Sequence, residues 1–188
     1  MTTLLVVAGE ASGDLQGGAI LEALKAAHPD LRLVGVGGER MSPFLDRKLA
    51  DVRELSVMGL LEVLPHLPFL LRLKRDLVQL AREEGCAGAL LIDYQGFNKS
   101  LAKALRKTRP EMRLCQYVCP QVWAWKPGRI PEVGSLFDVL YCLFPFEPPL
   151  FAGHPVEAVW LGHPLLDRLE PELDGEAFEI RYGLNPGR

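Results

Sequence analysis

A single carboxylate stands at the point where an apolar strand ends. Residues 89–92 form a continuous apolar run, typical of a strand buried on both faces of a parallel sheet, and Asp93 follows directly. Open α/β sheets bind ligands outside the carboxyl ends of their strands, where a carboxylate can take a proton from a substrate hydroxyl. A structural role for Asp93, in the turn or in an ion pair, explains the local pattern equally well. Asn98 suits the N-cap of the helix predicted next, because its side-chain oxygen can accept a first-turn N–H.

Two glycine-containing loops follow the first two predicted strands. Residues 3–8 and 31–36 are apolar runs, and the loops 9–14 and 37–41 come after them. The first loop leads into a helix, an arrangement that offers free N–H groups to an anion or a sugar hydroxyl. It has neither the GxGxxG spacing of a dinucleotide site nor the GKS or GKT ending of a phosphate loop. Tight turns explain the glycines equally well, and Ser12 or Asp14 could simply cap the helix.

Two tryptophans and one histidine follow later strands. Trp123 and Trp125 lie in a proline-bounded loop after the strand predicted at 113–118. Indole side chains either fill the rim of the core or line a pocket, where they suit stacking on sugar or covering acyl chains. Further strands are predicted at 137–143 and 158–161, and His163 lies in the turn after the second of them. A lone histidine in a turn is usually structural.

The segment 57–81 combines an apolar first part with a basic second part. Pro65 and Pro68 predict a break, with one short helix ending near Leu64 and a second helix begun by proline. The segment could form an ordinary buried helix pair, or an apolar patch with a basic border that enters a bilayer surface or holds acyl chains. The pattern alone favours the buried pair.

The bulk composition limits the function classes. The 188 residues, 48% of them apolar, can bury a full core, and a net charge of −3 gives no support for nucleic-acid binding. The four cysteines contain no CxxC pair and are expected to be reduced thiols of a cytoplasmic protein. We expect no signal peptide and no transmembrane helix, because no apolar run reaches roughly 18–20 residues.

The alternation of strands and helices over residues 3–161 predicts an α/β fold with a doubly wound, Rossmann-like parallel sheet. The loops after consecutive strands then gather along one edge of the sheet. The glycine loops, Asp93, the tryptophans and His163 are therefore expected to share a cleft. This convergence favours a catalytic role for Asp93.

Seven stretches resemble one family, lipid-A-disaccharide synthase, an inverting glycosyltransferase with two Rossmann-like domains (GT-B). They lie in family order and at family spacing between about residues 3 and 169. The chain has Gly96 where the family usually has a second acidic residue. The matching stretches are AGEASGD (8–14), GVGGERM (35–41), ELSVMGLLEVLP (54–65), IDYQGFN (92–98), YVCPQVWAWKPGRI (117–130), LFPFE (143–147) and GHPL (162–165).

The resemblance implies site residues of three kinds. The family's catalytic aspartate falls on Asp93, and no metal ligands and no cofactor are expected. The family also has a membrane-contacting segment, which falls on Leu61, Val63, Leu64, Leu67, Leu70 and Leu71. The resemblance therefore favours membrane contact over a buried helix pair for this part of the chain. The substrate contacts are expected at Gly9, Glu10, Ser12, Gly13, Asp14, Gly37, Gly38, Met41, Asn98, Trp123, Trp125 and His163.

The resemblance also implies a reaction and its partners. The family transfers diacylglucosamine from its UDP carrier to the primary hydroxyl of diacylglucosamine 1-phosphate. We expect residues 1–168 to form the acceptor-binding domain and residues 169–188 a linker towards a C-terminal domain that binds the UDP-sugar. The expected location is the cytoplasmic face of the inner membrane, with peripheral contact, and an open half-cleft makes self-association a further expectation. The alternative is a non-catalytic lipid-binding remnant, or one chain of a split glycosyltransferase.

Overall fold

The first strand of the chain lies in the middle of a seven-stranded, all-parallel sheet. The computed structural model describes residues 1–55, 60–166 and 175–183, with backbone alone for 60–66 and 175–178. In the order β3-β2-β1-β4-β5-β6-β7, every pair is parallel, as the sequence predicts. The strands are β1 (Thr3–Ala8), β2 (Arg32–Val36), β3 (Arg47–Ala50), β4 (Gly88–Ile92), β5 (Arg113–Tyr117), β6 (Val139–Cys142) and β7 (Glu157–Trp160).

Helices cover both faces of the sheet. Alternate residues of β1 belong to different apolar clusters: Val7 packs with the first and Val6 with the second. The helices are α1 (Ala11–Ala27), α2 (Val52–Leu55), α3 (Leu60–Glu83), α4 (Gln95–Thr108), α5 (Val122–Trp125), α6 (Ile130–Leu136) and α7 (Gly175–Tyr182). The first cluster is formed with α3, α4 and α6, and Leu21 of α1 belongs to the second. None of the helices in the described ranges has both the length and the apolar character needed to cross a bilayer.

The strand register brings the loops that follow the strands to one edge. Ala8 pairs with Ile92, Ile92 with Tyr117, and Tyr117 with Tyr141. These four residues form one row across β1, β4, β5 and β6. The loops after this row therefore start at the same height, which confirms the expected gathering of strand ends.

The structure differs from the sequence-based expectation in the segment before β4. The predicted break at Pro65 and Pro68 is wrong, since α3 is continuous from Leu60 to Glu83. Proline disfavours a helix interior because it removes one backbone hydrogen bond and its ring crowds the preceding turn. Leu73, Leu77 and Leu80 are buried in the first apolar cluster, and this packing outweighs the local preference for a break. The strand β3 was also not expected from the sequence.

The domain boundary expected at residue 168 falls outside the described residues. The helix α7 lies within residues 169–188, the segment predicted to be a linker.

Candidate active site

The carboxylate of Asp93 lies directly beyond the row of paired strand ends. Its backbone N–H donates to the Tyr117 carbonyl at 2.9 Å, so the β4–β5 ladder continues to the site. Ser12, in the first turn of α1, donates its hydroxyl to Asp93 Oδ2 at 3.2 Å. Two of the predicted site residues, Ser12 from the loop after β1 and Asp93 from the loop after β4, are thus in direct contact.

The backbone at the site is held in an unfavourable conformation. Asp93 has φ of 51° and Tyr94 has φ of 38°, in the left-handed region, which costs energy for residues other than glycine. Val118, at the end of the neighbouring β5, has φ of 67°, and a β-branched residue is rarely found there. Such strain persists only where surrounding contacts determine the conformation, and it clusters at functional sites.

Two buried amides supply those contacts. Asn98 Nδ2 donates to the Asp93 carbonyl at 2.7 Å, and Gln116 Nε2 donates to the same carbonyl at 3.0 Å. Gln116 Nε2 also lies 3.2 and 3.4 Å from the carbonyls of Tyr117 and Val118. The predicted N-cap role of Asn98 is wrong: α4 begins at Gln95, so Asn98 lies within the helix, and its side chain donates where a cap would accept.

Glu10 places a second carboxyl group beside Asp93. Partial burial, followed by the negative charge of Asp93, raises the pKa of Glu10 above its usual value. Burial and the charge of Glu10 likewise raise the pKa of Tyr94. Gly9 makes this packing possible, because a Cβ at Gly9 would stand 2.2 Å from Tyr94 Cδ1. Burial and a neighbouring carboxylate therefore both favour the protonated form of Glu10.

Asp14 connects the two glycine loops. Its carboxylate accepts the backbone N–H groups of Gly38 at 2.6 Å, Arg40 at 3.0 Å and Met41 at 3.1 Å. The side chain is buried, and both of its oxygens are engaged by this loop. Neither Gly38 N–H nor Met41 N–H remains free for a ligand.

Close packing explains Gly37 and Met41 but not Gly13. Met41 is fully buried, in contact with Gly17 of α1, and a Cβ at Gly37 would stand 2.6 Å from Met41 Cβ. A Cβ at Gly13 would lie 3.4 Å from Ile92, which is an ordinary van der Waals contact. The structural reading, left open by the sequence, therefore accounts for Gly37 and not for Gly13.

The two tryptophans occupy different environments. Trp123 donates its Nε1–H to Glu147 Oε1 at 3.2 Å and meets the Phe146 ring edge-on, with the ring centroids 4.9 Å apart. Trp125 is 70% exposed, with the ammonium of Lys126 5.5 Å from its ring centroid. Trp123 therefore fixes the loop after β5 to the loop after β6, and Trp125 is available to a ligand.

His163 stabilises the turn in which it lies. Its Nδ1 accepts the N–H of Leu165 at 3.2 Å, and its ring lies 6.2 Å from that of Phe144. The contact uses one ring nitrogen as an acceptor, which is the usual structural role of a histidine in a turn.

One buried group has spacing suitable for a metal ion but the wrong chemistry. Ligand atoms of Cys119, Cys142 and Glu147 lie within 4.8 Å of one another. The Glu147 carboxylate already accepts N–H groups from Trp123, Leu143 and Phe144. The hydrogen bond between the Cys119 thiol and Cys142, together with burial, raises the pKa of Cys119 far above its usual value. A Cys119 thiol that holds its proton, beside an engaged carboxylate, does not fit a metal site.

The apolar segment expected to contact the membrane is only partly described. Leu67 and Leu71 are 46% and 51% exposed on α3, whereas Leu70 packs against the first apolar cluster. Leu61, Val63 and Leu64 lie outside the described side chains. Exposed leucines thus occur beside a leucine that belongs to the core.

Comparisons with known proteins identify the family. The model of the lipid-A-disaccharide synthetase family matches residues 4–183. A lipid-A-disaccharide synthase of Syntrophotalea carbinolica is 41% identical over 98% of this chain and 47% of its own length. The corresponding enzyme of Xanthomonas campestris pv. campestris is 39% identical over 97% of this chain and 41% of its own length. The chain thus spans about half the length of the curated relatives it matches.

A solved structure shares the fold. The UGT transferase from Siraitia grosvenorii, solved in complex with UDP, aligns with 97% of this chain and 55% of its own chain at a TM-score of 0.56 and 8% identity. The seven-stranded parallel sheet is therefore an arrangement that also occurs in a glycosyltransferase. Together with the match over residues 4–183, the shared motifs confirm the resemblance seen in the sequence. The chain belongs to the lipid-A-disaccharide synthase family.

Proposed function

We propose that this chain forms the acceptor-binding part of a lipid-A-disaccharide synthase, with Asp93 as its general base. The contact between Asp93 and Ser12 at the edge of the cleft carries the proposal. A carboxylate held there by a strained backbone and two buried amides is preorganised for proton transfer.

The reaction is a single displacement. The primary hydroxyl oxygen of diacylglucosamine 1-phosphate attacks the anomeric carbon of UDP-diacylglucosamine and forms the new C–O bond. The bond from that carbon to the UDP oxygen breaks, and UDP leaves with the electron pair. Asp93 accepts the hydroxyl proton, and attack opposite to the leaving group inverts the anomeric centre. We assign the donor site to the C-terminal half that relatives possess and this chain does not span.

Asp93→Asn tests the base. Asparagine tolerates left-handed backbone as aspartate does, so the fold should persist while turnover falls by roughly 10²–10⁴-fold. Product disaccharide is measured by mass spectrometry in a full-length background, with the exposed Asp30 replaced in an Asp30→Asn control. Near-normal turnover of Asp93→Asn would remove Asp93 from the mechanism.

The same proposal includes peripheral contact with the cytoplasmic face of the inner membrane. The exposed Leu67 and Leu71 on α3 support it. Exposed leucines beside basic side chains, here Arg72 and Arg75, suit an anionic bilayer surface. Such contact would bring the cleft to substrates whose acyl chains remain in the membrane.

A further inference from the structure

The main-chain ladder between β4 and β5 ends beside the candidate base. Ile92 pairs with Tyr117, and the Asp93 N–H donates to the Tyr117 carbonyl at 2.9 Å. In a regular parallel pair the next bond would run from the N–H of Cys119 to the Asp93 carbonyl. The N–H of Cys119 instead donates to the Tyr141 carbonyl on β6, at 3.1 Å. The Asp93 carbonyl therefore lacks the main-chain donor that the neighbouring strand would normally supply.

The side chain of Gln116 supplies a donor at this position. Its Nε2 lies 3.0 Å from the carbonyl oxygen of Asp93, 3.2 Å from that of Tyr117 and 3.4 Å from that of Val118. Gln116 is 1% exposed, so these contacts are shielded from solvent, where hydrogen bonds are electrostatically stronger than in water. One buried amide thus bonds the end of β4 and the end of β5 at the same time.

The two buried amides of the site bond different parts of it. Asn98 Nδ2 donates to the carbonyls of Ile92 and Asp93, which both belong to the end of β4. Gln116 also reaches the carbonyl of Val118, where the loop that contains the two tryptophans begins. Gln116 therefore fixes the base relative to the loop after β5, which Asn98 does not contact through these bonds.

Both chain ends that Gln116 joins have left-handed backbone. The φ angle is 51° at Asp93 and 67° at Val118. Such conformations are costly for residues other than glycine and persist only where surrounding contacts hold them. The direction of the Asp93 side chain depends on this backbone, and so does the contact of its Oδ2 with Ser12. Loss of the donor at Gln116 would therefore turn the carboxylate and shift the loop after β5 together.

We infer that Gln116 is a positioning residue for the base, which acts through the peptide of Asp93 and does not contact the substrate. The inference rests on the proposed function and adds to it the residue that aligns the base with the loop after β5. A displacement of about 1 Å can cost roughly 10²-fold in rate, even when the substitution lies away from the reacting atoms. Loss of the Gln116 amide should therefore slow turnover and leave substrate binding intact.

Backbone NMR of the chain tests the alignment without any substrate. In the wild type, the Nε2 protons of Gln116 should exchange slowly with solvent, because they are buried and bonded. Gln116→Met keeps the length of the side chain and removes the donor. It also removes a buried oxygen, Oε1, that has no partner in the described part of the chain, so folding should survive. The Cα and carbonyl chemical shifts of Asp93 and Val118 should then move away from left-handed values. Gln79→Met, at an exposed glutamine of α3, is the matched control and should leave them unchanged.

Steady-state kinetics in a full-length background tests the consequence for the reaction. Gln116→Met should lower kcat roughly ten- to a hundredfold. The KM for the acceptor should stay unchanged, because an interaction that aligns the base does not contribute to binding in the ground state. Gln79→Met should keep both constants. Each kcat is normalised to the folded fraction measured by circular dichroism, so a loss of stability alone would not lower it.

Four outcomes separate this inference from the proposed base. Fast exchange of the Gln116 Nε2 protons in the wild type, or unchanged shifts at Asp93 in Gln116→Met, would overturn the inference. A raised KM with unchanged kcat would also overturn it, since Gln116 would then contact the substrate. Wild-type kcat in Gln116→Met beside an inactive Asp93→Asn would refute the positioning role and keep the base. Near-normal turnover of Asp93→Asn would refute the base itself, whatever the spectra of Gln116→Met show.

Discussion

The family resemblance and the structure assign different roles to Asp14, and the variant Asp14→Asn distinguishes between these roles. The resemblance places Asp14 among the substrate contacts, whereas its buried carboxylate accepts three backbone N–H groups of the second glycine loop. The substitution keeps the size of the side chain. It replaces a charged acceptor by a neutral amide and turns one oxygen into a donor.

The expected cost follows from these contacts. Oδ1 accepts from Gly38 and Met41, and an amide oxygen can retain both bonds in weakened, neutral form. Oδ2 accepts from Arg40, and an amide nitrogen there would face an N–H donor. Hydrogen bonds to charged groups contribute about 1.5–3 kcal/mol and neutral ones about 0.5–1.5 kcal/mol, so we expect a loss of about 3–5 kcal/mol. At about 2–4 °C per kcal/mol for this size, the Tm should fall by about 6–20 °C.

Urea denaturation followed by circular dichroism measures the free energy of unfolding. Asp30→Asn, an exposed aspartate in a turn, is the matched control and should change it by less than about 0.5 kcal/mol. A loss of less than about 1 kcal/mol in the free energy of unfolding of Asp14→Asn would refute the role of Asp14 in connecting the two glycine loops. Unchanged stability combined with a raised KM would instead indicate that Asp14 contacts the substrate.

Two further predictions concern the pH dependence and the membrane surface. Because folding raises the pKa of Glu10, its ionised form is less stable in the folded than in the unfolded chain. Glu10→Gln should therefore have a higher Tm than wild type at pH 7, and the gain should vanish below the ordinary pKa of 4.5; an equal gain at pH 3.5 and pH 7 would contradict this cause. Replacing Leu67 and Leu71 together by Ser should reduce liposome flotation without altering the circular dichroism spectrum, because both leucines are exposed. The control variant Leu166→Ser, at a leucine that is 63% exposed elsewhere on the surface, should leave flotation unchanged. Unfolding of the double Ser variant would show that these leucines belong to the core.

The central strands β1 and β4 could be predicted from the sequence because Leu4–Ala8 and Ala89–Ile92 are continuous apolar runs. The strand β3 could not, since it reads Arg-Lys-Leu-Ala and lies at the edge of the sheet. Edge strands of native sheets often carry charged side chains. Arg47 of β3 binds Glu84 at 3.0 Å and Lys48 binds Asp51 at 2.6 Å. Leu49 and Ala50 pack with the first apolar cluster, but two apolar residues are too few to predict a strand.

The site was predictable at the level of strand ends but not of individual contacts. Asp93 and Ser12 meet because the register of β1 and β4 aligns their loops. Gln116 was missed as a site residue, although a polar residue near the end of an apolar strand was a signal. Glu147 was missed because its contact with Trp123 joins two loops that are 24 residues apart in sequence. Contacts of this kind depend on tertiary packing, which a local pattern does not contain.

The central position of β1 has a consequence for synthesis of the chain. The strand is synthesised well before β4, which begins at Gly88 and completes one of its edges. At about 5–20 residues per second, the 80 residues between Ala8 and Gly88 take about 4–16 s. During that interval an apolar strand has an unpaired edge, which is the feature that chaperones and aggregation both recognise. We therefore expect the yield of folded protein to depend on how quickly translation reaches β4, and to respond to codon choice between α1 and β4.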